Sequence, residues 1–345
     1  MADDTVLYGF SYRDVTGLSA TTTPSMEEEG FLGAEFPAPT IVVDEGDELY
    51  LSLTNVGMQI RPDLFDPHTI HYHGFPNAAP VFDGVPDNSI SVNMFGTLTY
   101  YYNNDEPGTY AWHCHVEATE HMQMGMMGNL YVRPAQNKTG YGGDPGTIAR
   151  LGGNASSTVE GYVYNDGDGT TAYDVEYVVQ TNSWDSEFHI ASETVQPLPF
   201  AMMDDDYPLM NGRGYPDTVE TANIYNASSD KESQRVSSSM TATVGDRILL
   251  RFSNMSVTQF HTMIALGLPM EVVGKDARQL RGPGGADLHY NTSAVTLGGG
   301  ENVEVLIDTT DVAPGTYFLY STNLDLLNNG TEAVGGIMTE IVINE

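Results

Sequence analysis

The chain has 345 residues, forty per cent of them hydrophobic, with 20 Tyr, 12 Phe and 36 Gly, which is enough for two globular domains or one large one. Its 47 acidic residues against 13 basic ones give a formal net charge of −34, which argues against nucleic acid or an anionic membrane as a partner. Mean hydropathy is negative and no apolar run has the length of a membrane-crossing helix, so no membrane span is expected.

In chain order, residues 5–10 read as a strand, followed to residue 36 by an acidic, Gly/Thr-rich excursion. Residues 39–43 and 48–53 read as strands around the turn at Glu45-Gly46-Asp47. A histidine-rich run follows at 68–73, and residues 75–95, rich in Pro, Asn, Asp and Gly, read as loop. Residues 97–102, 108–112 and 128–132 read as further strands, a spacing that fits a Greek-key β-barrel. The Gly/Pro/Asn/Ser-rich stretch up to 158 reads as a linker, giving domains over 1–136 and 159–345 joined by 137–158. Residues 176–180 are a strand candidate, and the polar segment 225–238 reads as exposed loop. The expected fold class is all-β, with two tandem barrels.

The second half repeats the first. The segment from Gly46-Asp47 to Asn55 corresponds to that from Gly245-Asp246 to Asn254, and Pro107-Gly-Thr-Tyr110 to Pro314-Gly-Thr-Tyr317. His68-Thr-Ile-His-Tyr-His-Gly-Phe-Pro76 aligns with His261-Thr-Met-Ile-Ala-Leu-Gly-Leu-Pro269. His71 and His73 thus become Ile264 and Leu266, while His113, Cys114 and His115 become Tyr320, Ser321 and Thr322.

Cys114 is the only cysteine, so an intrachain disulfide is ruled out and any role rests on its own sulfur. His113 and His115 flank it, His121 follows at Cys+7 and Met126 at Cys+12. One thiolate, imidazoles and a thioether make up the ligand set of a blue, type 1 copper. Along a strand, residues an even number apart share a face. His71 and His73 therefore share one face and His68 points away; His113 and His115 share one face and Cys114 points away. Two adjacent strands would sort these residues into a site of His68, Cys114, His121 and Met126 and a patch of His71, His73, His113 and His115. The two would lie on the order of 12 Å apart, linked through the backbone around Cys114. Met124 is the rival to Met126. Asp83 is a candidate proton relay, although an Asp before Gly commonly serves a turn.

The runs His-x-x-His-x-His-Gly and His-Cys-His, with the later His and Gly-Met, resemble those of the multicopper oxidases, especially the two-domain laccase-like members; Asp83-Gly-Val-Pro86 and Pro107-Gly-Thr-Tyr110 look like further segments of that family. The resemblance implies two cupredoxin domains, type 1 copper on His68, Cys114, His121 and axial Met126, and half of a trinuclear oxygen-reducing cluster on His71, His73, His113 and His115. It departs from the pattern in the Cys-to-His spacing, seven here against the usual five, as a two-residue loop insertion would give. It further implies a homotrimer with the oxygen site between domain 1 of one subunit and domain 2 of the next. The domain 2 positions carry no imidazoles, so copies of this chain would not assemble a standard trinuclear centre.

Three functions are therefore carried forward. The first is a copper oxidoreductase that passes electrons through His-Cys-His to a mono- or dinuclear second copper centre reducing O2 or a similar small oxidant. The second is a blue-copper electron-transfer or copper-binding protein without turnover, and the third a structural or assembly protein on a cupredoxin scaffold. The expected electron donor is a small molecule, a metal ion or a redox protein. Copper chemistry and acidity point to an exported location, extracellular or periplasmic, although Met-Ala-Asp-Asp at the start has no leader-like character. The acidity also suits a halophilic or marine source, an acidic extracellular protein being the equal alternative.

Overall fold

A computed structural model describes residues 5–58, 63, 65–76, 78–139, 161–194, 197–226 and 228–345. The first domain is built on a sheet in the spatial order Ile41–Asp44, Met127–Arg133, Gly108–His113, His71–Tyr72. The first pair is parallel and the others antiparallel. A second sheet pairs Glu48–Thr54 with Thr97–Asn103. Side-chain alternation puts Tyr100 and Tyr102 inside, where they meet Tyr110, Trp112, Leu130 and Val132, while Tyr101 points outward. Gly108–His113 is buried at every position. One of its faces meets this core, and the other meets the second domain, where Ala111 packs with Met122, Met127 and Met255.

The second domain repeats the plan. Met240–Thr243 runs parallel to Met338–Asn344, as Ile41–Asp44 does to Met127–Arg133. Arg247–Asn254 pairs antiparallel with Asn302–Asp308, matching Glu48–Thr54 and Thr97–Asn103. Ile264 stands opposite Tyr320 as His71 stands opposite His113. Tyr110 Oη donates to the Glu106 carbonyl at 2.9 Å and Tyr317 Oη to that of Ala313 at 2.8 Å. The all-β, two-cupredoxin expectation therefore holds.

Three local expectations need revision. Residues 5–10 join no strand ladder, and the excursion after them contains a short helix, Met26–Gly30, started by a Ser25–Glu28 capping box. Residues 225–238 are not plain loop: Ile224–Asn226 and Lys231–Gln234 form a hairpin. Polar composition concealed it because its partners are charged. Arg13 Nη1 donates to the Glu232 carbonyl at 2.7 Å, Lys231 Nζ donates to the Phe31 carbonyl at 2.7 Å, and Arg235 pairs with Glu35 at 3.1 Å. Trp184 ends a longer strand than expected, Val175–Trp184. Most of the expected linker lies outside the described residues. Among the described residues no helix is long and apolar enough to cross a membrane.

The domains meet over a buried ionic cluster. Glu176 of the second domain pairs with Arg133 at 3.0 Å and also with Arg251. Arg251 donates to Thr109 Oγ1 at 2.9 Å and lies over the Tyr131 ring at 4.8 Å, while Glu304 accepts from the Thr109 amide at 2.9 Å. Buried charges persist only when so compensated.

Candidate metal centre

Both histidine clusters lie at one end of Gly108–His113. Cys114 falls just past this strand and is fully buried. His121 arrives on the short helix Ala118–Gln123 and turns Nδ1 to Cys114 Sγ at 3.0 Å. His68, bridged to Val92, places its own Nδ1 3.9 Å from the sulfur. The Thr69 amide donates to Sγ at 3.3 Å. Burial alone would push the Cys114 thiol up, but the hydrogen bonds and charges of His121 and His68 prevail and bring it down to about 5. Burial opposes charge on His121 too, yet contacts with Asp66 and Cys114 lift it to about 10. The pocket thus favours the thiolate, the form that binds a soft metal cation, and such a cation would replace the positive charge now facing the sulfur.

The methionine alternatives separate by packing. Met126 belongs to the buried cluster containing Cys114, Ile70 and Tyr100, and its carbonyl accepts from the Cys114 amide at 3.1 Å. Met124 packs elsewhere, on Phe188 and Leu198.

In the second cluster, each of three imidazoles has Nδ1 against a backbone carbonyl. His71 Nδ1 lies 2.7 Å from the Asp83 oxygen, His73 Nδ1 3.1 Å from that of Gly300, and His113 Nδ1 2.6 Å from that of Cys114. A carbonyl only accepts, so each Nδ1 carries the hydrogen and each Nε2 presents a lone pair. The Nε2 atoms of His73 and His113 face each other at 2.7 Å. Two lone pairs that close need a cation between or beside them. Burial holds both rings below the usual histidine range, which disfavours a proton there. Ligand atoms of His71, His73 and His113 all lie within 4.8 Å of one another, a donor set that fits a metal ion. His115 stands beside this trio, its ring 5.1 Å from that of His71 and stacked on His113 at 5.5 Å.

Asp83 contributes its carbonyl to His71, with its carboxylate 3.6 Å from the same nitrogen. The next residue must be glycine, since a Cβ on Gly84 would sit 2.0 Å from the Ile70 carbonyl oxygen. The second domain offers no equivalent donor set among the described residues. His261 is buried, with Nδ1 2.8 Å from Thr181 Oγ1. His189 turns Nδ1 to the Tyr8 carbonyl, and His289 pairs with Asp287 at 3.3 Å. Sequence reasoning missed Asp66, Thr69 and Gly300. Asp66 alone left a signal, being an acid two residues before a candidate ligand.

Fold and site together define a two-cupredoxin protein with paired metal-ligand clusters. Two sequence profiles, both described as multicopper oxidase, match residues 19–137 and 183–337. The chain belongs to the multicopper oxidase family, and copper is its cofactor. It is 30% identical over 109 residues to multicopper oxidase MCE of Talaromyces pinophilus, covering 31% of this chain and 17% of that protein. It is 32% identical over 123 residues to the L-ascorbate oxidase of Cucurbita pepo var. melopepo, covering 33% and 20%. The matches thus span a fifth or less of these relatives. Among solved structures, blue copper oxidase from Nitrosomonas europaea superposes with a TM-score of 0.64 at 23% identity, over 90% of this chain and 77% of that one. Copper nitrite reductase from the same organism gives 0.58 at 14% identity, over 91% and 85%. At such identities these two likenesses speak for the fold.

Proposed function

We propose that the chain is a copper-dependent oxidoreductase in which His68, Cys114, His121 and Met126 hold a type 1 copper and His71, His73 and His113 hold a second, mononuclear one. The observation that carries this reading is the convergence of three Nε2 lone pairs behind a buried thiolate. When bound, copper would supply one-electron redox chemistry at the first site and an open Lewis-acidic position for a small oxidant at the second. The chain's own part is the connection. From Cys114 Sγ the path runs through Cβ, Cα and the carbonyl, then across one 2.6 Å hydrogen bond to His113 Nδ1. The buried Tyr100, Tyr110 and Trp112 pack the Cys114 side of this strand and exclude water. Asp83, with 35% of its side chain exposed, stands beside His71 between solvent and the second centre and would relay protons to a small oxidant held there.

His115 outside the trio and the missing domain 2 imidazoles support a mononuclear centre over a trinuclear one. In the proposed homotrimer, a neighbour's Ile264, Leu266 and Tyr320 would cover the patch with a largely apolar surface. The electron donor is a small molecule, a metal ion or a redox protein, and the location is exported.

Copper titration tests the proposal. The expected result is two coppers per chain, one giving a strong visible band that disappears in Cys114→Ser, together with turnover of a phenol, Fe(II), Cu(I) or nitrite. Metal-replete protein that stays colourless would refute it, and a single bound copper without turnover would favour simple electron transfer.

A further inference from the structure

Asp66 lies against His121 and His68 on the first cluster and is not one of the four proposed copper ligands. It is 6% exposed, and its carbonyl is fixed by Asn55 Nδ2 at 2.7 Å. Its carboxylate meets both imidazoles on the side away from the sulfur, one oxygen to each ring. Oδ1 is 3.0 Å from His121 Nε2, and Oδ2 is 3.7 Å from His68 Nε2. The two rings stand edge to face, 5.1 Å apart, and both direct Nδ1 to Cys114.

The same chain contains a natural comparison. In domain 2, Asn254 holds the Gln259 carbonyl at 3.1 Å, as Asn55 holds that of Asp66, and Gln259 precedes His261 by two residues as Asp66 precedes His68. That domain has Ser321 in place of the thiol. The carboxylate accompanies the cysteine and is replaced by an amide where the cysteine is gone.

We infer that Asp66 is a positioning residue for the type 1 site, setting its negative charge against Nε2 of both imidazole ligands, closest to His121, and lowering the reduction potential of the copper they hold. The inference rests on the type 1 reading above. A carboxylate this near Nε2 favours the tautomer with its proton there, leaving Nδ1 free, and its negative charge makes the rings, His121 above all, stronger donors. Stronger donation favours Cu(II) over Cu(I). Glu117 also approaches His121 Nε2, at 3.9 Å, but its side chain is 65% exposed and water screens it.

The test compares wild type, Asp66→Asn and Glu117→Gln, each loaded with copper alone and titrated through the visible band. An asparagine presents an acceptor to one ring but an N–H to the other. Loss of this contact should weaken the preference for Cu(II) by about 10- to 100-fold, an upward shift of about 60–120 mV. Glu117→Gln should change it less than about threefold. A wild type without the blue band removes the type 1 reading itself. A blue Asp66→Asn protein with the wild-type potential overturns the Asp66 assignment alone, as does a Glu117→Gln shift of equal size. Should Asp66→Asn fail to fold or load, the Cu(I)-loaded wild type decides. Its His121 Nε2–H proton should resonate downfield, as a carboxylate 3.0 Å from that nitrogen requires, and an ordinary imidazole shift overturns the assignment.

Discussion

Replacing Gly300 with alanine should weaken metal binding at the second site and spare the first. Gly300 has φ +83, so any side chain there carries left-handed strain of about 1–2 kcal/mol. Space is the larger obstacle. A Cβ at this position would lie 2.3 Å from His73 Cε1 and 2.4 Å from Nδ1. Ordinary carbon contacts begin near 3.5 Å, so the ring must withdraw by roughly 1 Å. The 3.1 Å contact between Nδ1 and the Gly300 carbonyl would then break, and Nε2 would lose its fixed aim. Loss of such an orienting bond costs about 10- to 100-fold in metal affinity, or roughly 1.4–2.8 kcal/mol. The assay is a chelator-competition titration with Cu(II), following the visible band for the first site and total bound copper for the second. Gly245→Ala is the control: its φ is +100, but nothing lies within 4 Å of the added methyl, so it carries the strain without the collision. Unweakened second-site affinity in Gly300→Ala, or equal weakening in Gly245→Ala, would refute the reasoning.

Met126→Leu should leave the protein blue and raise the reduction potential by removing a weak axial donor, whereas Met124→Leu should leave the potential unchanged, both read by redox titration. Glu176→Gln strips the buried guanidinium groups of Arg133 and Arg251 of their shared counter-charge. It should destabilise the chain by about 3–5 kcal/mol in urea unfolding. His261 is buried and neutral, its pKa lowered by burial to about 4 from 6.5. The unfolded chain therefore binds more protons between those values, and stability falls as pH drops from about 6.5 toward 4, by up to about 3 kcal/mol. His261→Gln should flatten that part of the stability profile relative to wild type.

Strand alternation made much of the site legible. His71 does lie opposite His113, and Cys114 does turn to the face away from His113. The repeat was equally readable, since Ile264 opposite Tyr320 reproduces that register with the ligands gone. What stayed hidden depends on contacts between distant positions. Gly300 acts on His73 through a carbonyl, which every residue possesses, across 227 positions. The choice between Met126 and Met124 turned on which cluster each packs into, and an inserted loop does not disclose that. The hairpin Ile224–Asn226 with Lys231–Gln234 escaped notice because its polar strands pair with each other and with an acidic excursion rather than with an apolar core.

The second domain has no imidazoles at the positions matching His71, His73, His113 and His115, yet it helps to hold the first domain's clusters in place. Gly108–His113 leads directly into Cys114, so any slip of that strand would move both metal clusters at once. Its first-domain face is gripped by Tyr72, Tyr100 and Leu130 through Tyr110 and Trp112. Its other face is gripped by the second domain: Thr109 by Arg251 and Glu304, Ala111 by Met255, and the His73–His113 pair by the Gly300 carbonyl. A metal site needs its ligands held to a fraction of an ångström by surroundings that cannot yield. The domain 2 residues outside this contact, among them Ile264 and Leu266, carry no such demand. The buried Arg–Glu cluster and the Gly298–Gly300 turn therefore tie the second domain to both candidate clusters, although its own positions matching the second cluster carry no imidazole.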